Sequence, residues 1–208
     1  MSNNFRKGLM LVLSSPSGAG KTSICKKLLE IEKGLLMSIS YTTRPKRKSE
    51  NDGEDYFFVK KKEFDELQSK NYFVESALVF DHYYGTPKNF IERNLKKGID
   101  ILFDIDWQGA QKLVDYYKND VVSIFVLPPS NKILLERLKK RNEDSIEIVK
   151  KRMSKAKSEI SHWIEYDYII INDDIDKSSR EVITILNAER KKRIRQKFIF
   201  DFIEKLTK

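Results

Sequence analysis

The sequence predicts an α/β protein with a parallel sheet core and a small, mostly β insert. Three observations carry this. Short apolar runs alternate with segments of helical period, a glycine-rich turn joins the first run to the first such segment, and an aromatic, β-branched stretch from Ser38 to Thr86 breaks the alternation. Strands alternating with helices imply a parallel sheet whose faces the helices cover.

Taken in order, Leu9 to Ser14 (LMLVLS) is short, apolar and followed by turn residues, which predicts a buried strand. Thr22 to Glu32 predicts a helix with Ile24, Leu28, Leu29 and Ile31 on its apolar face. Within the insert, Tyr56-Phe57-Phe58-Val59 and Tyr72-Phe73-Val74-Glu75 read as short β pieces. Further strands are expected at Ile99 to Ile105, Val121 to Leu127 (stopped by Pro128-Pro129) and Tyr168 to Ile171. Helices are expected at Phe90 to Lys97, Gln108 to Tyr117, Asn131 to Arg141 and Ile146 to Glu159, with a last one from near Ser178 that runs past Arg195.

Composition narrows the class. A chain of 208 residues fits one compact domain that needs neither disulfides nor metals to bury a core. Its one cysteine, Cys25, excludes a disulfide framework and suggests a reducing compartment. The polar start Met1-Ser2-Asn3-Asn4 and the brevity of the first apolar run argue against a signal or a membrane span, so a cytoplasmic location is expected. A net charge of +9 favours anionic partners without choosing among nucleic acid, membrane surface and small phosphates.

The first motif is Ser14-Ser15-Pro16-Ser17-Gly18-Ala19-Gly20-Lys21-Thr22, between strand and helix. It matches the P-loop pattern of Gly, four residues, then Gly-Lys-Ser/Thr, except that Ser15 stands at the first glycine position. Glycines let backbone N–H groups approach phosphate oxygens, and the helix that follows adds the positive end of its dipole. Lys21 can reach the β- and γ-phosphates and the Thr22 hydroxyl can ligate Mg²⁺. An ordinary Gly/Ser turn is the bland alternative, and the intact Gly-Lys-Thr between strand and helix argues against it.

The second group is Ser38-Ile-Ser-Tyr-Thr-Thr-Arg-Pro-Lys-Arg47, then Glu50 to Tyr56, Glu75, and Tyr83-Tyr84-Gly85-Thr86-Pro87. Singly, each piece has an ordinary reading: a solvated basic turn for Arg44 and Arg47, core aromatics for Tyr83 and Tyr84, a surface charge for Glu75. Farther on, Asp104-Ile-Asp106 ends a strand with two acids on one face, at the sheet edge where ligands bind in open α/β folds. A cap on the next helix is the bland alternative for Asp106. Arg137 and Arg141 lie one turn apart on a helix, and Lys151-Arg152 opens the next one.

In this order the P-loop, Ser-x-x-Thr-Thr-Arg with a second Arg three residues on, Asp-Tyr-x-Phe, Tyr-Tyr-Gly-Thr, Asp-Ile-Asp and Asn172-Asp-Asp resemble the guanylate kinase family, from about Gly8 to about Asn187. Three positions depart: Ser49 stands where the family usually has Gly, Pro45 directly follows the first Arg, and Asn142 stands where the family usually has Gly after the Arg matching Arg141. The resemblance implies a P-loop three-layer fold over 7–187, with core segments 1–37, 88–136 and 160–208, a GMP-binding region at 38–87 and a helical lid at 137–159. It implies ATP and GMP as substrates with Mg²⁺. Ser15, Pro16, Ser17, Gly18, Ala19, Gly20, Lys21 and Thr22 would then bind ATP together with Arg137, Arg141 and Asn172. The GMP phosphate would be held by Ser40, Arg44, Arg47, Tyr56 and Tyr84. Its guanine would be read by Glu75, Thr86 and Ser40, near Asp104 and Asp106. Thr22 and Asp104 would hold the metal. Lys21, Arg44, Arg137, Arg141 and Arg152 would carry the catalytic charge.

Other readings stay open on the residues alone. One is a kinase of this architecture acting on AMP, dTMP or a ribose phosphate. Another is a non-catalytic guanylate-kinase-like binding module, against which Lys21, Thr22 and the arginines argue. A third is a nucleic-acid binder based on the basic tail Arg190 to Arg195. No groove-reading motif accompanies that tail, so neither nucleic acid nor membrane is expected as a partner. A solvated helix face or a contact in a homo-oligomer suits it better. Cys25 is expected to be a packing residue, and His82 and His162 are too isolated for a metal site.

Overall fold

The structure, a computed structural model, describes residues 6–79, 81–140 and 146–208. Its described residues build a parallel sheet from β1 (Met10–Ser14), β2 (Leu35–Met37), β7 (Asp100–Asp104), β8 (Val121–Leu127) and β9 (Tyr168–Ile171), in the order β2-β7-β1-β8-β9. The strands expected at Leu9, Ile99, Val121 and Tyr168 are all present. The edge strand β2 was not expected, because three residues are too few to show a period.

The side-chain alternation of β1 explains the layers. Leu9, Leu11 and Leu13 face one way, against Ile24, Cys25 and Leu28 of α1 (Lys21–Ile31) and Val182 and Leu186 of α7 (Ile175–Lys191). Met10 and Val12 face the other way, against Ile91 and Leu95 of α3 (Lys88–Lys96) and Ala110 and Leu113 of α4 (Trp107–Tyr117). A strand covered on both faces reads as continuously apolar, as this one does. Cys25 packs in that core as expected.

The insert forms a second sheet from β3 (Tyr41–Thr42), β4 (Phe57–Phe58), β5 (Phe73–Val79) and β6 (His82–Pro87), in the order β4-β3-β6-β5. The expectation of a mostly β insert needs one correction: α2 (Lys61–Ser69) lies within it. Only Phe64 of that helix is buried, stacked on Phe73, so its polar sequence lacks the apolar stripe that periodicity detects. Two further helices, α5 (Asn131–Lys140) and α6 (Ile146–Ile160), share a small cluster of their own around Leu134, Leu138, Val149 and Ala156.

The C-terminal expectation is also corrected. α7 starts at Ile175, because the Asp174 carboxylate caps it by accepting from the Lys177 N–H at 2.7 Å. It stops at Lys191, and a separate α8 (Ile199–Thr207) follows. The tail is not a uniformly solvated basic face. Arg195 is buried, with Nε donating to the Glu189 carbonyl and Nη2 near the Glu189 carboxylate. Arg190 donates to Asp100 at 2.7 Å and to Glu32 at 2.9 Å.

Asp100 is fully buried and also accepts from Nη1 and Nη2 of Arg6, each at 2.6 Å, and from the Leu9 N–H at 2.9 Å. Removing one member of such a pair strands the others. Asp100→Ala should therefore cost about 3 kcal/mol or more and lower the melting temperature by roughly 6–12 °C. A melt within a degree or two of wild type would show that the cluster contributes nothing net.

Candidate active site

The site lies at the carboxyl edge of β1 and β7, where the sheet order turns. The β1–α1 loop is held open by Gly18 (φ 93°) and Gly20 (φ 98°), both left-handed. At Gly20 a Cβ would also lie 2.4 Å from the Asn172 amide nitrogen. Ser15 needs no such conformation, because positive φ outside glycine occurs among the described residues only at Asn71, Asp81 and Lys118. Gly20 is the N-cap of α1 and supplies no side-chain cap, which leaves first-turn N–H groups for a ligand.

The parallel register sets Leu13 beside Asp104 and so brings the loop and the end of β7 together. Lys21 Nζ pairs with Asp104 Oδ1 at 2.6 Å and donates to the Ile105 carbonyl at 2.7 Å, while the Thr22 hydroxyl donates to Asp104 Oδ2 at 2.8 Å. Burial disfavours the Lys21 ammonium, but Asp104 outweighs it through charge and hydrogen bond and holds the pKa above the usual lysine value.

Across the cleft, Arg44 donates to Glu50 Oε1 at 2.7 Å and lies 5.4 Å from the Tyr56 ring centroid, and Tyr56 meets Tyr84 edge to face. Glu50 also accepts from the Arg47 N–H at 2.9 Å, which folds the basic turn back on itself. Burial alone would raise the Glu50 pKa, yet the Arg44 and Arg47 contacts hold it below the usual carboxylate range. Sequence reasoning gave Glu50 no role.

One cleft of about 520 Å³ joins the two halves. It is lined by Ser15, Pro16, Ser17, Gly18, Gly20, Lys21 and Thr22 on one side, and by Ser40, Arg44, Arg47, Tyr56, Glu75 and Tyr84 on the other, with Asp104, Asp106 and Arg152 between. That size suits small ligands held by a few convergent polar groups. Ala77, Val79, Asp81, His82, Ile105 and Gly109 also line it, as does Glu159 of α6, whose carboxylate accepts from the Ser17 N–H at 3.0 Å. Apart from Ile105, which lies inside the Asp-Ile-Asp motif, no motif marked these residues, since each reaches the cleft through packing.

Four expected site residues, Ala19, Thr86, Arg137 and Asn172, are not among those that line the cleft. Thr86 is fully buried and donates its hydroxyl hydrogen to Glu75 Oε1 at 2.6 Å, which orients the carboxylate. Asn172 is buried behind the P-loop, donating to the Ala19 carbonyl at 2.7 Å. Arg137 donates to that carbonyl at 3.1 Å and to the Asn172 carbonyl at 3.0 Å. Ala19 is wholly buried, with its carbonyl turned to the same side. These groups brace the back of the loop. Asp106 caps α4, accepting from the Gly109 N–H at 3.0 Å, while still lining the cleft. Arg141 lies outside the described residues.

Glu75 is strongly perturbed by its burial. It is 6% exposed, and its Oε2 has no hydrogen-bond partner among the described residues. Burial raises its pKa to about 7, with Asp106 adding to the rise and the Thr86 bond and Lys112 opposing it. A ligand that donates to Glu75 needs it ionised. Capture of such a ligand should strengthen between about pH 6 and about pH 8, with a midpoint near 7 that Glu75→Gln removes. A ligand phosphate titrates near 6 and would remain in the variant's profile as the internal control. An identical profile in the variant would show that Glu75 is not the titrating group.

A phosphate loop with its lysine and hydroxyl, facing an arginine and tyrosine pocket across one cleft, defines the class: a P-loop kinase for a small phosphorylated acceptor. The guanylate kinase family model matches residues 7–189. A guanylate kinase of Paramagnetospirillum magneticum is 53% identical, covering 97% of this chain and 94% of its own length. One of Bradyrhizobium diazoefficiens is 52% identical, covering 97% and 92%. A crystal structure of guanylate kinase from Anaplasma phagocytophilum superposes with TM-score 0.81 at 40% identity, covering 96% of this chain and 95% of that one. The chain belongs to the guanylate kinase family.

Proposed function

We propose that the chain transfers the γ-phosphoryl group of ATP to GMP, and to dGMP, giving ADP and GDP or dGDP. The observation that carries the reading is Glu75, a buried carboxylate with one unpartnered oxygen, in the same cleft as the phosphate loop. Guanine presents two adjacent donors, N1–H and the 2-amine, which a carboxylate can accept together. Adenine presents no such pair and would leave the buried carboxylate unpaired, a mismatch that can reject an analogue by about 10⁴-fold.

The GMP phosphate is already anionic and nucleophilic, so the chain needs no strong base. Arg44 and Arg47 would fork onto its oxygens, with Tyr56 and Tyr84 donating from the rim. Lys21 and Arg152 would offset charge on the transferred group, and the loop amides would align the triphosphate. Mg²⁺ suits the donor set: Thr22 Oγ1 and Asp104 Oδ2, 2.8 Å apart, are hard oxygen ligands. An ion held by one or two such oxygens would complete its coordination with substrate phosphates and water. Bound there, Mg²⁺ would neutralise phosphate charge. Among the described residues no helix is long and apolar enough to cross a membrane. A cytoplasmic location agrees with the single, buried thiol.

The deciding measurement is ADP formation from ATP and Mg²⁺ with GMP, dGMP, AMP and dTMP. The reading requires GMP and dGMP to be turned over far faster than the other two. Equal rates with AMP would sink it, and no turnover with any acceptor would favour a binding module.

A further inference from the structure

Gly109 occupies the third position of α4. Its φ is not among the left-handed glycines, so nothing in its backbone excludes a side chain. Its N–H bond to Asp106 is a cap that any residue could donate. In a helix, glycine costs about 1 kcal/mol against alanine, so its presence here needs another cause.

That cause lies in the packing of α4 against β5. A Cβ at position 109 would lie 3.3 Å from Glu75 Oε2 and 3.4 Å from both Glu75 Cδ and Ile105 Cδ1. The contact with Oε2 is tight by a few tenths of an ångström, and Glu75 would meet it by shifting that oxygen. Thr86 holds its other oxygen at 2.6 Å, and the β5–β6 register pairs residue 75 with 86 across a bulge between Phe73 and Glu75. Oε2 is also the oxygen that keeps free acceptor capacity, and Gly109 lines the same cleft.

We infer that Gly109 is a specificity-determining position: its missing side chain leaves Glu75 Oε2, which has no hydrogen-bond partner among the described residues, in place for the donor edge of the acceptor base. The inference rests on the GMP reading above. It concerns how sharply a base with two donors is told from one with fewer. Phosphate capture by Arg44 and Arg47 lies outside its reach.

The test compares GMP with inosine monophosphate, which keeps N1–H and lacks the 2-amine. Gly109→Ala should raise the GMP KM by roughly tenfold or more, on the scale of one disturbed polar contact in a pocket. It should shrink the GMP-over-IMP ratio of kcat/KM by at least about fivefold, with the ATP KM unchanged. Alanine suits the helix, so the variant should melt no lower than wild type. In a Glu75→Asp background the carboxylate withdraws by one methylene. There the same change should move the GMP KM by less than about twofold.

A GMP KM within about twofold of wild type would overturn the inference. So would an equal loss for both acceptors, a much lower melting temperature, or an undiminished effect in the Glu75→Asp background. Wild-type turnover of GMP is the control. Its absence would sink the proposed function, whereas wild-type turnover with an unaltered ratio in G109A would sink only the role of Gly109.

Discussion

Glu75→Gln should lower kcat/KM for GMP by about 10³- to 10⁴-fold while leaving the ATP KM near wild type. The amide can keep the Thr86 bond by presenting its oxygen there, which turns its NH₂ toward the position now held by Oε2. Two donors of the base would then meet a donor, inside a pocket too buried for water to mediate. The same substitution should stabilise the folded protein at neutral pH. Glu75 has a folded pKa of about 7 against an ordinary 4.5, so between those values the folded state binds the proton and the unfolded state does not. Stability from this group is present at low pH and is lost as pH rises through that window, by roughly 3 kcal/mol at the upper end. A variant that is both less active on GMP and flatter in its stability profile from about pH 4.5 to about 7 is the expected result. Unchanged GMP kinetics would remove the central support of the proposed function.

Lys21→Met should lower kcat by about 10³-fold or more with the fold retained, since a positioned cation at the transferring phosphoryl group is worth that much in related chemistry. The methionine keeps the length of the side chain and fills its buried track. What is lost is the ion pair to Asp104 at 2.6 Å and the bond to the Ile105 carbonyl at 2.7 Å. Asp104 keeps the Thr22 hydroxyl as a partner, so the expected stability loss is modest, about 1–3 kcal/mol. A coupled assay and a thermal melt on one preparation separate the two effects. Turnover within about tenfold of wild type, with an intact melt, would show that Lys21 does not neutralise the transferring group.

Local signals carried much of this protein. Leu9 to Leu13 is continuously apolar because both faces of β1 are covered, and that same fact makes the run conspicuous. The Gly-Lys-Thr turn is conspicuous because backbone approach to a phosphate demands glycines at fixed offsets. The paired arginines and tyrosines of the insert stood out only as an ordered set. α2 and β2 escaped notice because one is nearly all polar and the other is three residues long. The tail looked solvated because composition shows the charge of Arg190 and Arg195 but not the acids, Glu32, Asp100 and Glu189, that face them.

The sequence by itself determined the alternation of strands and helices, the phosphate loop and the family set of acceptor residues, all of which are written in short windows of period and spacing. Only the tertiary structure decided which of those residues face the cleft. Thr86 turned to Glu75, Arg137 and Asn172 went behind Ala19, Asp106 capped α4 while keeping its place in the cleft, and Glu159 and Gly109 arrived from elsewhere. The physical reason is that a side chain's direction follows from strand register and helix packing between segments as far apart as the 82 positions from Thr22 to Asp104. No local pattern encodes that geometry.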